Sequence, residues 1–333
     1  MQHKQPSGEL RRMRSAIRTR YGQAEVLKIA EVARPACSDD EVLVEVRAAS
    51  LNPYDWHGMT GTPYITRMGS GWSKPKVPAL GVDVSGVITA VGAGVSDFSV
   101  GDEVFGFADG AYAEFVAAKA DALAHKPANT SFDDAAAVPV AALAALQGLR
   151  DQGKLQPGQH VLVNGASGGV GTYAIQLAKH LGATVTGVCS TANADLVRSL
   201  GADNVIDYTT EDFAAASSAY DVVLDNVGNR TMSAIKRCLA PNGCYVVVSG
   251  PKRTILGPLP HMLKAMVSFM FGSRRAAVFM TQRKRADLEF LAELLASGGL
   301  RSVVEAKYPL EQARMAMTHL ATGRTKGKLV LQT

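Results

Sequence analysis

Cysteine is scarce in this chain. Its 333 residues include four, Cys37, Cys189, Cys238 and Cys244, too few and too scattered for a disulfide scaffold. That fits a reducing compartment, and a cytoplasmic location is the expectation. Long apolar runs are also missing. The longest uncharged one, Ala135 to Leu146, spans 12 residues and contains Pro139, whereas a membrane-crossing helix needs about 20. No integral membrane segment is expected. The opening residues MQHKQPSGELRR lack the apolar core of a secretory signal. Residues 1–12 read as a disordered extension before an internal start at Met13. Excess charge is absent from most of the chain. The net charge is +5, and Lys4, Arg11, Arg12, Arg14, Arg18 and Arg20 against Glu9 account for all of it. A basic balance confined to a tail is a poor argument for nucleic acid, and no such partner is expected. With 47% hydrophobic and 20% charged residues the chain is globular. Its length suggests two domains at roughly 150 residues each.

From Met13 to about Gly110 the pattern is that of strands. Glu41–Arg47 (EVLVEVR) alternates apolar and charged residues, as a half-buried antiparallel strand does. Gly81–Gly92 alternates again, with glycines that suggest bends. Many short strands with Gly and Pro turns point to a barrel-like β domain. Near Ser131 the pattern changes. Ser131–Gly148 reads as one helix, with Ser131 as N-cap and Asp133 and Asp134 in its first turn. Apolar strands then alternate with helices: His160–Asn164, helix Gly169–Leu181, Thr184–Cys189, helix Ala194–Leu200, Asn204–Ile206, Asp221–Asp225 and Tyr245–Ser249. This describes a doubly wound parallel sheet. A helix Asp287–Ala296, strand Ser302–Lys307, helix Glu311–Ala321 and strand Lys328–Leu331 follow.

The strand HVLVN runs into Gly165-Ala166-Ser167-Gly168-Gly169-Val170-Gly171, which opens a helix. The spacing G-x-x-G-x-x-G is a variant of the dinucleotide fingerprint. Glycine allows the tight turn and lets backbone N–H groups approach a pyrophosphate, and the last glycine lets helix and strand pack closely. The helix N-terminus adds unpaired N–H groups and partial positive charge. An NAD site expects an acid about 20 residues further on, for the ribose 2′-hydroxyl. Here the second strand ends in Ser190 and Thr191, and the next acid is Asp195. Two hydroxyls and no carboxylate favour NADP(H).

The β-rich first part, Ala49-Ser50-Leu51-Asn52-Pro53-Tyr54-Asp55, Gly81–Gly92, the loop NGASGGVG and the ending Lys326-Gly327-Lys328-Leu329-Val330-Leu331 occur in order. Together they resemble the medium-chain dehydrogenase/reductase superfamily, in its zinc-free quinone oxidoreductase branch. The resemblance implies a GroES-like β domain over 13–135 and 287–333 and a Rossmann-type doubly wound domain over 136–286, with the active site between them. It implies that Asn52 points at nicotinamide and substrate, that Asp55 supports it and that Tyr64 lines the pocket. Tyr208 and Arg324 are implied near the adenosine 2′-phosphate. In such a sheet Asn226, Ser249 and Gly250 end strands on the cofactor side. A homodimer through the sheet edge near Tyr245–Ser249 is implied. Where zinc-dependent members carry a catalytic Cys and a His-Glu pair, this chain has Asn52 and Val82-Asp83. The cysteine quartet of the structural zinc lobe is missing, so no metal is expected.

Without a Lewis acid, reduction of an unactivated ketone is poorly supported. Quinones and α,β-unsaturated carbonyls already delocalise incoming charge and need orientation and a proton. The expectation is an NADPH-dependent reductase of small-molecule quinones, enones or enals. Asn52 would orient the carbonyl, and Tyr64, a ribose hydroxyl or water would give the proton. A zinc-independent alcohol dehydrogenase and an NADPH-binding redox sensor of little turnover stand beside it. Pro251–Ala286 carries eight basic residues and no acid, with Met262, Met266 and Met270 at helical spacing. It reads either as a connector helix with core methionines or as a lid whose Met and Phe side chains touch a flat substrate. The basic face of such a lid would suit an anionic membrane.

Overall fold

The computed structural model describes residues 11–249 and 256–333. The alternation at Glu41 extends into a ten-residue strand, Glu41–Ser50, whose apolar residues are buried. It lies inside a seven-stranded sheet. The strands run in the order Val304–Pro309, Lys328–Gln332, Glu41–Ser50, Asp83–Val91, Glu103–Phe107 and Leu123–His125, and Phe115–Lys119 also pairs with Glu41–Ser50. The last strand of the chain thus joins the first part, with Val330 opposite Ser50. A separate hairpin pairs Arg12–Ile17 with Lys28–Ala33.

That hairpin corrects the reading of the basic N-terminal stretch. The Arg34 N–H donates to the Arg11 carbonyl, and Arg12 pairs with Ala33. Arg14 is bonded to Glu114 and Glu311. Arg18 is buried and donates to the carbonyls of Gly58, Val77, Pro78 and Ala79. These arginines are fixed by carboxylates and carbonyls of the fold and are not part of a free tail. The rest of the expected extension, residues 1–10, lies outside the described residues.

The continuous apolar strands form a six-stranded, all-parallel sheet. Its order is Asn204–Asp207, Thr184–Cys189, His160–Asn164, Tyr220–Asp225, Leu239–Val247 and Arg275–Val278. In sequence order this is 3-2-1-4-5-6, with the switch point between His160–Asn164 and Tyr220–Asp225, where such sheets bind ligands. One face packs on Leu143, Leu146, Tyr173, Ile175 and the leucines of the helix Arg285–Ala296. The other packs on Phe213, Ile235, Ala265 and Phe269.

Three expectations change. The helix expected over Ser131–Gly148 is two, Phe132–Ala136 and Pro139–Gln147, followed by a π-helical turn Gly148–Gly153. Pro139 cannot donate a backbone bond and begins the second helix at its first turn, where no such bond is required. The strand around Tyr245 is not the sheet edge, because Arg275–Val278 pairs along its outer side. The helix Leu259–Ser268 does not bury a methionine stripe. Ala265 and Phe269 point inward with Met262 beside them, whereas Leu263, Met266, Val267, Met270 and Phe271 are exposed. The inward positions fall at 262, 265 and 269, and that face turns Met266 and Met270 outward.

Candidate active site

Pro53 occupies the first turn of the helix Pro53–Thr60, and Asn52 is its N-cap. The Asp55 carboxylate, at the third helical position, reaches back and accepts the Asn52 backbone N–H at 2.8 Å. This brings Asn52 and Asp55 together as expected. It also makes them part of a larger buried group. The Asn52 Nδ2 donates to Asp83 Oδ2 at 2.8 Å, and the Lys328 ammonium donates to Asn52 Oδ1 at 2.5 Å. Lys328 Nζ lies 3.6 Å from Asp83 Oδ2. The Ser50 hydroxyl and the Val140 N–H also donate to Asp83. The Tyr112 hydroxyl donates to Asp55 at 2.8 Å. None of Ser50, Asn52, Asp55, Asp83, Tyr112 and Lys328 is more than 4% exposed.

Burial dominates the acid–base behaviour of this group. It raises the Asp55 carboxyl to about 7, against the hydrogen bonds from Tyr112 and the Asn52 backbone. It lowers the Lys328 ammonium from its ordinary range, while Asp83 and Asp55 pull the other way. Asp83 and Lys328 were not among the residues expected to form the site. A lysine in the strand Lys328–Gln332 reads from sequence as a solvated residue, and its only signal is that it begins a strand of buried apolar residues.

Tyr64 is 42% exposed. Its ring lies under the Arg67 guanidinium at 4.6 Å, and its hydroxyl makes no hydrogen bond to the Asn52 group among the described residues. Next to it, Pro63 closes against the segment before the helix Leu259–Ser268. A Cβ on Gly257 would stand 2.7 Å from the Pro63 ring.

The glycine loop follows the switch-point strand His160–Asn164. Gly165 has φ +77°, and a Cβ on Gly171 would fall 2.1 Å from the Gly165 carbonyl oxygen. The turn and the close helix–strand contact therefore need these glycines. The helix Gly169–His180 has Gly168 as N-cap, so no side chain covers its first N–H groups. A Cβ on Gly168 would meet only the Gly165 oxygen, at 3.5 Å. Two buried carbonyl oxygens have no hydrogen-bond partner here, Asn193 Oδ1 and Asn226 Oδ1. Asn193 Nδ2 donates to Ser167 Oγ, and Asn226 Nδ2 donates to the Asn164 carbonyl. Bare N–H groups, an open cradle and orphaned amide oxygens fit a dinucleotide. Asn193 was missed from sequence because it sits in a short turn after the second strand.

The loop and the Asn52 group are physically joined. Gly168 and Gly327 form a parallel bridge, and the Gly327 N–H donates to the Ser167 carbonyl at 2.8 Å. Lys328 Cδ lies 3.2 Å from where a Gly169 Cβ would be.

At the adenosine end the picture is mixed. The Ser190 hydroxyl has no hydrogen bond among the described residues, but the Thr191 hydroxyl donates to Asp207. The carboxylate that seemed absent thus arrives from the third strand, where Thr209 also donates to it through N–H and hydroxyl. This corrects the count of two free hydroxyls and no acid. Tyr208 is exposed beside the strand end, its N–H bonded to the Cys189 carbonyl. Arg324 is exposed three residues before the Gly327 bridge, and Ser249 is exposed just past its strand. Gly250 lies outside the described residues.

Sheet order, glycine loop and buried polar group define an oxidoreductase architecture with a dinucleotide cofactor. Residues 38–128 match the alcohol dehydrogenase GroES-like domain and residues 200–331 the zinc-binding dehydrogenase domain. The chain is 33% identical to the chloroplastic quinone-oxidoreductase QR1 of Triphysaria versicolor, over 93% of this chain and 95% of that one. It is 34% identical to the chloroplastic NADPH-dependent alkenal/one oxidoreductase of Arabidopsis thaliana, over 96% and 79%. The solved quinone oxidoreductase of Coxiella burnetii superposes with a TM-score of 0.85 at 32% identity, over 97% of this chain and 100% of that one. The chain belongs to the medium-chain dehydrogenase/reductase superfamily, in its quinone oxidoreductase branch. Asn52 and Asp83 are bonded to each other, and Asp83 faces the Lys328 ammonium. Among the described residues no cluster of three His, Cys, Asp or Glu side chains is placed to hold a metal.

Proposed function

We propose that this protein reduces quinones or α,β-unsaturated carbonyls with NADPH and without a metal. The observation that carries the reading is the Gly168–Gly327 bridge, which sets the buried Asn52 carboxamide beside the glycine loop. In this reading the N–H groups of Gly169, Val170 and Gly171, with Gly165, Ser167 and Gly168, hold the pyrophosphate. Asn226, Ser249 and Gly250 border the nicotinamide half. Ser190, Thr191, Tyr208 and Arg324 border the adenosine 2′-position. When bound, the cofactor supplies hydride. Asn52 donates an N–H to the acceptor oxygen and orients it, and Asp55 holds Asn52 at its helix N-terminus. Tyr64 lines the entrance beside Pro63 and Gly257, where water brings the proton. Among the described residues no unengaged base stands beside Asn52 to take a proton from an alcohol, which favours this reading over alcohol oxidation.

NADPH is favoured because Ser190, Tyr208 and Arg324 offer one free hydroxyl, an aromatic face and a cation. Asp207 moderates the preference, which we put at about tenfold, or 1.4 kcal/mol. We further propose a homodimer through the exposed edge Arg275–Val278 and the apolar face of Leu263, Met266 and Phe271. In this reading the chain divides into a first domain over 13–135 and 287–333 and a second over 136–286, and the helix Arg285–Ala296 stands at the seam, against the strand Leu123–His125 and the helix Pro139–Gln147. No helix among the described residues is long and apolar enough to cross a membrane. The four cysteines are free thiols, in keeping with a reducing compartment such as the cytoplasm.

The test is consumption of NADPH and NADH against quinones, enones, enals, aldehydes and alcohols, before and after exhaustive chelation. Turnover of quinones or enones that survives chelation supports the reading. Cofactor binding with no turnover of any acceptor would favour a redox sensor and overturn it.

A further inference from the structure

We propose that Lys328 is a positioning residue for the reaction: it locks the Asn52 carboxamide as a hydrogen-bond donor to the substrate and cancels the charge of Asp83 behind it. The proposal rests on the reductase reading above.

A carboxamide offers one oxygen and two N–H bonds. Here the oxygen is taken by the Lys328 ammonium and one N–H by Asp83 Oδ2. The donor left is the second N–H, while the oxygen's other lone pair lies on the side of the ammonium. That N–H meets a substrate that presents a lone pair, as a quinone or enone oxygen does. The ammonium on the carbonyl side also polarises the amide, which strengthens the remaining N–H as a donor.

The charge argument is separate. Hydride addition places negative charge on the acceptor oxygen. Asp83 is fully buried and lies one hydrogen bond behind the donating amide, so an uncompensated carboxylate there would oppose that charge in a medium that screens weakly. Lys328 Nζ, 3.6 Å from Asp83 and also buried, removes the opposition. The benefit grows as charge develops, so it belongs to the transition state more than to substrate binding. The Gly327 bridge to Ser167 fixes the strand that carries Lys328, which holds the ammonium in register with the cofactor loop.

The experiment compares the full-length wild type with Lys328→Met and with Lys328→Met/Asp83→Asn, the second removing both charges so that no buried ion is left unpaired. With NADPH and 1,4-naphthoquinone, Lys328→Met should lose at least about tenfold in kcat, and the double variant, which carries no opposing carboxylate, should lose less but stay below the wild type because its carboxamide is unlocked. The Michaelis constant and the NADPH dissociation constant should move less than about threefold. A readout without turnover is the infrared carbonyl stretch of the quinone bound with the oxidised cofactor. It should lie lower than for free quinone in the wild type and return toward the free value in both variants. A folded double variant with wild-type kcat and an unchanged stretch overturns the proposal. A wild type that neither reduces the quinone nor shifts its stretch overturns the reductase reading and this proposal with it. A wild type that does both, with variants that match it, overturns the role of Lys328 alone.

Discussion

The glycine loop and the Asn52 group meet at Gly168 and Gly327, yet they are built on opposite plans. The loop works through backbone. Its N–H groups are presented by what its side chains lack, and a single stretch of seven residues holds all of it. The Asn52 group works through side chains. Its members come from three strands, a helix start and a loop, and each is useful only because the others satisfy it. A backbone site tolerates change wherever glycine is not required. A buried side-chain site tolerates little, because removing one member leaves another unpaired.

Substitutions can break this contrast, the largest effect first. Asp83→Asn leaves the Lys328 ammonium buried without a counter-charge and should cost about 3–5 kcal/mol, read by urea denaturation. Loss below about 1 kcal/mol, the scale of an exposed pair, would show that the group is not the charged unit described. Gly171→Ala should cost about 1–3 kcal/mol, because its Cβ would strike the Gly165 and Ala166 backbone, which cannot rotate away. Gly168→Ala, whose Cβ would meet only the Gly165 oxygen at an ordinary contact distance of 3.5 Å, should leave the melting temperature nearly unchanged. Equal losses at the two glycines would refute the packing role given to Gly171.

Acidity sharpens the comparison, because the loop has no titrating group and the Asn52 group does. Asp55 is raised from 3.8 to about 7 in the fold, so the folded state holds its proton more tightly than the unfolded chain. Its contribution to stability is complete below the ordinary carboxylate range and is lost as pH rises through about 7. Thermal denaturation from pH 5 to 8 should show this decline, and Asp55→Asn should flatten it. An identical slope in the variant would assign it elsewhere. The smallest effect is expected at the far end of the loop. Asp207→Asn should raise the preference for NADPH over NADH about fivefold, near 1 kcal/mol, by removing a carboxylate beside Thr191. Fluorescence titration with both cofactors decides it, and an unchanged ratio would place the 2′-position away from Asp207.

The same contrast explains what the sequence made legible. Glycine spacing between a strand and a helix is a local signal, so the loop and most of the parallel strands were readable within a residue or two. Asn52 and Asp55 were reachable only through resemblance, and Lys328 was not reachable at all. Its partners are distant in the chain, and a lysine opening a terminal strand looks like any solvated residue. The edge strand Arg275–Val278 was hidden for another reason: four residues with no alternation, beginning at the second of two arginines, do not distinguish a strand from a connector. Asp207 is not legible as part of the loop's surroundings, because the fingerprint places an acid after the second strand, while this carboxylate comes from the third and accepts the Thr191 hydroxyl. Of the Met262–Met266–Met270 spacing only Met262 shares the inward face with Ala265 and Phe269, and Met266 and Met270 are exposed.

Lys328 and Asn52 are 276 positions apart in the chain. A single gene crossover anywhere between Asp83 and Lys328 gives acid and counter-ion to different parents. Hybrids spliced at the seam between the two sheets, the most natural joint for exchanging cofactor halves, would inherit Asp83 from one lineage and the residue facing it from another. Such shuffling succeeds only where both lineages have kept the same charges at these sites. On the ribosome the same distance acts as a delay: Asp83 is synthesised long before its ammonium exists, and the first sheet waits for its closing strand before its interior is neutral.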